Sequence, residues 1–189
     1  NDVYHLENNP SIYAAILTPQ GRFITDFFLT NYQNSFLMEI ESKYEELILQ
    51  KLNMYKLRSE VELSTLKDTN IFITSNKSIY NVNELSLNNL NFDDPRFKKF
   101  FNRLYIFDHQ DFVKIKSISD KTYNNLRLKH AVPDFNIDAT HNKSLLMEMR
   151  FDELNGVSWD KGCYMGQEIT ARMKYRNLMK RKIFKIEIE

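Results

Sequence analysis

Clustered and alternating apolar positions near the start of the chain predict β structure. Two apolar, aromatic-rich runs at residues 12–17 and 22–29 flank the sequence Thr-Pro-Gln-Gly at 18–21, and these residue types are typical of a tight turn. The two runs therefore predict a β-hairpin, and residues 36–40 predict a third strand. Further strands are predicted over 61–66, 71–74 and 103–107, and one more over the alternating residues 184–189.

Apolar residues recur at helical spacing elsewhere in the chain. Ser42 and Glu45 form a capping-box pattern at the start of a predicted helix over 43–56. Further helices are predicted over 120–129 (capped by Ser119 or Asp120), over 145–154 and over 167–176. Residues 75–102, rich in Asn and Asp, predict a loop. Strands, a helix, more strands and then helices indicate the α+β class.

The composition excludes several classes of protein. Of the 189 residues, 42% are hydrophobic and 27% are charged, and the mean hydropathy is −0.50, as in soluble globular proteins. No apolar stretch reaches the roughly 18 residues of a membrane span, and we expect neither a membrane nor a secreted protein. The only cysteine, Cys163, has no partner for an intrachain disulfide, which favours a reducing compartment, and no metal site is predicted.

Charge is distributed unevenly along the chain. The formal net charge is +1, but residues 161–189 hold eight Lys or Arg against three Glu. A nucleic-acid binder is therefore one alternative. A sequence pI near 7.9 and the lack of a recognised nucleic-acid motif do not favour direct nucleic-acid binding.

Residues 161–168, Lys-Gly-Cys-Tyr-Met-Gly-Gln-Glu, contain the only cysteine and two of the four glycines. We call this segment the cysteine motif. Cys163 comes shortly before the predicted helix over 167–176, and the free N–H groups and dipole of a helix start favour a thiolate nearby. Lys161 and Arg172 would add positive charge if they fold back toward the sulfur. The other interpretation is a packed cysteine, since free cysteines are among the most buried residues.

The cysteine motif, followed by Ile-Thr-Ala-Arg-Met-Lys-Tyr-Arg, resembles the signature of the YgfZ family of folate-binding proteins. That family is related to the glycine-cleavage aminomethyltransferase, the T-protein. Two weaker similarities occur in the order that the family requires. Residues 13–22 with Asp26 resemble its first hairpin, and Tyr-Lys-Leu-Arg at 55–58 resembles the end of its first long helix. The resemblance implies the T-protein-like folate-binding fold, with antiparallel sheets and packed helices.

The resemblance also implies a trimmed chain. Family members begin with a further strand and helix and continue into a small C-terminal barrel domain, which we expect to be absent here. On this basis the chain divides into a first α+β subdomain, 1–115, and a second subdomain, 116–189. The second carries the cysteine motif and the start of a truncated C-terminal region.

Candidate site residues follow from the resemblance. Glu148 lies where the relatives carry a glutamate that contacts folate, and a carboxylate suits the amino group and ring N–H of a reduced pterin. Asp26 lies near their acidic residue on the first hairpin and is, with Cys163, a candidate for catalysis. The other candidates for binding tetrahydrofolate are Lys161, Tyr164, Gln167, Arg172 and Arg176. Without the resemblance, Glu148 and Asp26 are ordinary surface carboxylates and the basic stretch is a solvated helix face.

The function implied is that of a tetrahydrofolate-binding accessory protein for the maturation or repair of iron-sulfur proteins, including enzymes that modify tRNA. Its partners would be iron-sulfur client or assembly proteins. Clusters ordinarily use four protein ligands, so Cys163 would act transiently. The alternative is a one-carbon transferase like the T-protein, with Asp26 as acid or base. Whether any reaction is catalysed stays open, as does an inert chain. The expected location is the bacterial cytoplasm, with the mitochondrial matrix as second choice.

Overall fold

The computed structural model describes residues 1–67, 69–75, 88–97, 100–107, 111, 119–176 and 178–186. The chain packs as two compact units. The first unit combines Asn1–Glu39 with Ile118–Glu189, and the second is Ile40–Ser117. The division into subdomains 1–115 and 116–189, which was made by position along the sequence, stays a prediction.

A three-stranded antiparallel sheet forms the first part of the first unit. Its strands are β1 (Ser11–Leu17), β2 (Phe23–Tyr32) and β3 (Ser35–Glu39), in the order β1-β2-β3. This confirms the predicted hairpin and third strand. The register places Tyr13 opposite Phe28, so that aromatic side chains from neighbouring strands meet on one face.

Aromatic rings fill the core of the first unit. Tyr13 stacks on Phe151 with ring centroids 4.7 Å apart, and Phe135 meets Phe151 edge-on at 5.0 Å. Phe28 lies 4.9 Å from Tyr13, and Phe23 lies 5.2 Å from Phe135. All five side chains are buried, and such offset or edge-on pairs are the favoured geometries of aromatic rings.

The first unit also contains a 3₁₀ helix over Val3–Glu7 and three of the chain's α-helices. With Glu45–Tyr55 of the second unit numbered α1, these are α2 (Asp120–Lys129), α3 (Phe135–Asp138) and α4 (Gln167–Tyr175). The hydroxyl of Ser119 accepts the N–H of Thr122 at 3.2 Å, which confirms the predicted cap of α2. The predicted helix over 167–176 is confirmed by α4.

The predicted helix over 145–154 is wrong, because this segment is a series of turns. Arg150 adopts a positive φ of 61°, which a right-handed helix does not tolerate. The next N–H, that of Phe151, donates to the carbonyl of Leu146 rather than continuing a helical ladder. The apolar positions that suggested a helix are nevertheless buried, including Leu146, Met149 and Leu154.

The second unit contains α1 (Glu45–Tyr55) and an antiparallel sheet of β4 (Asn70–Ser75), β5 (Leu90–Asp93) and β6 (Phe101–Ile106) in the order β4-β6-β5. The predicted helix over 43–56 and the strands at 71–74 and 103–107 are confirmed. The Ser42 capping box is wrong, because Ser42 begins a 3₁₀ turn over Ser42–Tyr44 and α1 has no side-chain cap.

Three other sequence predictions concern strands. Residues 61–66 form no strand, and their apolar side chains Val61 and Leu66 are exposed. The short strand β5 lies inside the predicted loop 75–102. In the predicted C-terminal strand over 184–189, the described residues 184–186 are not in a strand, and 187–189 lie outside the described residues.

A buried ion cluster lies in the second unit. The Oδ2 atom of Asp94 is 2.8 Å from Nη2 of Arg96 and 3.0 Å from Nη1 of Arg103. Asp94 and Arg103 are buried, so the carboxylate is paired with two guanidinium groups away from water.

The α+β class and the antiparallel sheets are therefore confirmed. Across the described residues, every helix is too short or too polar to cross a lipid bilayer.

Candidate functional site

The cysteine motif forms a bend that leads into α4. Gly166 is the N-cap residue of this helix and has a positive φ of 82°, which glycine adopts without strain. The N–H of Gln167 donates to the carbonyl of Tyr164 at 3.1 Å, which closes the bend. Cys163 lies three residues ahead of Gly166 and is exposed. The interpretation of Cys163 as a packed core cysteine is therefore wrong.

An open hollow of about 460 Å³ lies beside the start of α4. Three predicted folate-binding residues, Tyr164, Gln167 and Arg172, contribute to its lining. The full lining is Pro19, Gln20, Tyr164, Gly166, Gln167, Glu168, Ile169 and Arg172. A site of this size falls within the range of small-molecule sites, roughly 300–1,000 Å³.

Arg172 forms an ion pair within the hollow. Its Nη2 lies 2.6 Å from Oε1 of Glu168, one helical turn earlier on α4. Both side chains are exposed, so the pair holds the guanidinium in place only weakly. An anionic ligand would therefore compete with Glu168 for Arg172 at modest cost.

Tyr164 and Lys161 interact within the motif. The Nζ of Lys161 lies 5.5 Å from the centre of the Tyr164 ring and donates a 2.8 Å hydrogen bond to the carbonyl of Asn1. Burial raises the pKa of the Tyr164 phenol, against a hydrogen bond with Thr170 that lowers it. Tyr164 is therefore a neutral aromatic face with a hydroxyl at physiological pH.

Glu148 contacts the C-terminal segment, residues 178–186. Its side chain is only 14% exposed, and Oε1 lies 3.5 Å from Nε of Arg181. The main-chain oxygen of Glu148 accepts the N–H of Ile183 at 3.1 Å. Lys182 forms an ion pair with Glu153, and Lys174 pairs with Asp152 at 3.2 Å. These contacts join a basic end of the chain to an acidic series of turns.

Asp26 and Arg176 lie at other places in the first unit. Asp26 is half-buried on β2, where its Oδ2 accepts a 2.7 Å hydrogen bond from the hydroxyl of Tyr13. Arg176 follows the last residue of α4 and is exposed.

The structure thus brings together part of the predicted site. Tyr164, Gln167 and Arg172 meet in one hollow. Lys161 and Cys163 precede Tyr164 in the sequence. Among the described residues, the lining of that hollow does not include Glu148, Asp26 or Arg176. No group of three or more His, Cys, Asp or Glu side chains in the described part of the chain could hold a metal ion.

Sequence reasoning missed two contributions to this region. The turn residues Pro19 and Gln20 form part of the hollow, and Arg181 pairs with Glu148. A signal for the first was present in the glycine of the Thr-Pro-Gln-Gly turn, because a glycine there permits close approach of another backbone. No local signal marks the second, because Arg181 and Glu148 are far apart in sequence.

Comparison with known proteins finds similar sequences, although no family model matches the chain. A protein of Dictyostelium discoideum is 27% identical over 94% of this chain, and one of Mus musculus is 26% identical over 94%. A protein of Mycosarcoma maydis is 28% identical over 91%. The alignments cover 52%, 53% and 45% of these proteins, so the chain spans about half the length of the curated relatives it matches. All three are named mitochondrial iron-sulfur cluster assembly factors, IBA57 or its homologs. The homologues of this chain are therefore IBA57 iron-sulfur cluster assembly factors.

Proposed function

We propose that this chain is the cysteine-bearing part of an iron-sulfur cluster assembly factor. The observation that carries the proposal is the exposed position of Cys163, on a glycine-flanked bend at the start of α4. The names of the relatives give the same role to proteins similar over nearly the whole chain. We include membership of the YgfZ family and the T-protein-like fold in this proposal.

The role of Cys163 is transient. A cluster ordinarily takes four protein ligands, and this chain has a single thiol. The remaining ligands would come from a partner, either an apo client protein or another assembly protein. The cluster is then cargo that passes through a shared ligand set, and clients would include enzymes that modify tRNA. The mitochondrial names of the relatives favour the matrix over the bacterial cytoplasm as its location.

The test is cluster formation in an apo client protein. We expect the longest natural form of the protein to accelerate the appearance of an iron-sulfur cluster, measured by visible absorbance and enzyme activity of the client. Cys163→Ser should abolish the acceleration. Met54→Ala, which alters an exposed sulfur-bearing side chain in the other unit, should not change it.

Two results would contradict the proposed role. If the wild type gives no acceleration, the assembly function is wrong. If Cys163→Ser accelerates cluster formation as well as the wild type, the thiol plays no part in it.

Tetrahydrofolate is the ligand that we propose for this part of the protein. The largely buried carboxylate of Glu148 suits the paired N–H donors of a reduced pterin. Gln167 and Arg172 suit the anionic tail of a folate, and the hollow that they line is of suitable size. A bound reduced folate supplies a carrier for one-carbon units. Arg172 would bind its tail in the hollow, and Glu148, which is not among the residues that line the hollow, would bind its pterin.

Calorimetric titration with tetrahydrofolate tests this ligand. We expect the wild type to bind and Glu148→Gln to bind at least about tenfold more weakly, because a hydrogen bond to a charged acceptor is lost. Glu153→Gln removes a neighbouring ion-paired carboxylate and should bind like the wild type. If the wild type does not bind tetrahydrofolate, the folate proposal is wrong. If Glu148→Gln binds as tightly as the wild type and Glu153→Gln, Glu148 is not part of the site.

A methylene-transfer assay distinguishes the one-carbon transferase alternative from the assembly-factor proposal. We expect no transfer to tetrahydrofolate above the protein-free rate. Transfer that is lost in Asp26→Asn and kept in Cys163→Ala would instead favour the transferase.

A further inference from the structure

The turn at residues 18–21 lies directly against the start of α4. Gly21 and Gly166 both adopt positive φ, 72° and 82°. A Cβ built on Gly166 would lie 2.6 Å from the Cα of Gly21 and 3.0 Å from its nitrogen. Carbon atoms in favourable contact are about 3.5–4.0 Å apart, so the two backbones touch with no room for a side chain between them.

Ile169 makes a second contact at the same junction. A Cβ on Gly21 would collide with Cγ2 of Ile169 and would lie 2.8 Å from the carbonyl oxygen of Gly166. Ile169 belongs to the first turn of α4, so the hairpin turn touches both the cap and the first turn of the helix. The neighbouring Pro19 and Gln20 are part of the lining of the hollow.

The hairpin turn is itself firmly fixed. The N–H of Gly21 donates to the carbonyl of Thr18 at 2.8 Å, and the N–H of Thr18 donates to the carbonyl of Arg22 at 2.8 Å. The N–H of Arg22 donates back to Oγ1 of Thr18 at 3.1 Å, and its guanidinium donates to the carbonyl of Lys143 at 2.7 Å. The turn is therefore a rigid surface against which the start of α4 packs.

We propose that Gly21 is a positioning residue for the cysteine motif. Its contact with Gly166 fixes the point at which α4 begins, and through it the bend that presents Cys163 and one wall of the hollow. The functional meaning of this contact rests on the proposed function, because that function gives the motif its role. The contact itself is measurable without a cluster, a client or folate.

Gly162 provides a matched control within the same motif. A Cβ on Gly162 would meet nothing within 4 Å, although this glycine is the direct neighbour of Cys163. Packing therefore requires glycine at 21 and 166 and does not require it at 162.

Hydrogen exchange measured by mass spectrometry tests the proposal. We expect Gly21→Ala to accelerate amide exchange about tenfold in peptides covering 161–170, because the start of α4 opens locally. Peptides covering β2 and β3 should exchange at the wild-type rate. Gly162→Ala should leave exchange in both regions unchanged. Adding Ile169→Ala to Gly21→Ala removes the colliding Cγ2 and should return part of the protection.

A milder variant covers the case in which Gly21→Ala does not fold. Thr18→Ala removes only the hydroxyl that accepts the Arg22 N–H, and we expect about threefold faster exchange in the motif. Wild-type exchange of the motif in a folded Gly21→Ala or Thr18→Ala protein would overturn the proposal. Equal acceleration in the motif and in β2 and β3 would also overturn it, since that is global destabilisation. The proposed function fails on separate evidence, namely a wild-type protein that does not accelerate cluster formation.

Discussion

The hydroxyl of Tyr13 donates a 2.7 Å hydrogen bond to Oδ2 of Asp26. Tyr13 lies on β1 and is fully buried in the aromatic core, whereas Asp26 lies on β2 opposite Ala15 and is half-buried. The candidate acid or base of the transferase alternative is therefore held by a core residue. A side chain fixed in this way has a structural role whether or not it has a chemical one.

Removal of the Tyr13 hydroxyl should destabilise the first unit. We expect Tyr13→Phe to lower the free energy of unfolding by about 1–2 kcal/mol, because Asp26 loses a hydrogen bond in a partly buried position. Urea unfolding followed by circular dichroism measures the change. Tyr175→Phe removes a hydroxyl from a ring that is 71% exposed and should stay within about 0.5 kcal/mol of the wild type. Equal stability of the two variants would contradict the prediction.

The Asp94 cluster should make the free energy of unfolding depend on pH in the acid range. Burial opposes ionisation of Asp94, but the guanidinium groups of Arg96 and Arg103 outweigh it and lower its pKa from 3.8 to about 2. Because the pKa is lower in the folded protein, the contribution is present above about pH 4 and is lost as the pH falls toward 2. This contribution of Asp94 to the free energy of unfolding amounts to about 2 kcal/mol.

Urea unfolding between pH 2 and 7 checks this dependence. Asp94→Asn should be destabilised by about 3–5 kcal/mol at pH 7, because the ion pairs of this buried carboxylate with Arg96 and Arg103 are lost. The gap to the wild type should narrow as the pH falls from 4 to 2. Asp93→Asn alters the exposed neighbouring carboxylate and should stay within about 0.5 kcal/mol of the wild type. A gap that does not change with pH would contradict the assignment.

Phe151 should be a sensitive position of the aromatic core. It contacts both Tyr13 and Phe135 and has no exposed surface. Phe151→Ala should lower the free energy of unfolding by about 3–5 kcal/mol through lost burial and the resulting cavity. Phe184→Ala, at a ring that is 72% exposed in the same unit, should change it by less than about 0.5 kcal/mol. Thermal or urea unfolding distinguishes the two, and similar effects would argue against a single packed core.

Local patterns predicted the elements that depend on local interactions. The hairpin, β3, the capped helix α2 and α4 were all visible in the sequence, because each combines a clear period with a turn or cap signal. The strand β5 was not predicted, since it has only four residues, Leu-Asn-Phe-Asp, and exists through pairing with β6. The turns at 145–154 place apolar residues at helical spacing without a helix, because positive φ at Arg150 interrupts it.

The same distinction applies to the candidate site. The bend of the cysteine motif follows from a glycine cap at the start of a helix, which is a local signal. The exposure of Cys163 is known only from the folded chain, because the sequence left a packed cysteine open. The contact between Gly21 and Gly166 and the pair between Glu148 and Arg181 join distant segments, and only the folded chain reveals them. Sequence resemblance named Glu148 as a candidate but carried no information about its basic neighbour.

The ion pairs of α4 and the C-terminal segment limit the distance over which their positive charges act. Lys174, Arg181 and Lys182 each have an acidic partner in the turns at 148–153. Opposite charges a few ångströms apart act at longer range as small dipoles, and dipolar fields fade within about one Debye length of 8 Å at physiological salt. A polyanion approaching this end of the chain would therefore meet much less attraction than a count of lysines and arginines suggests.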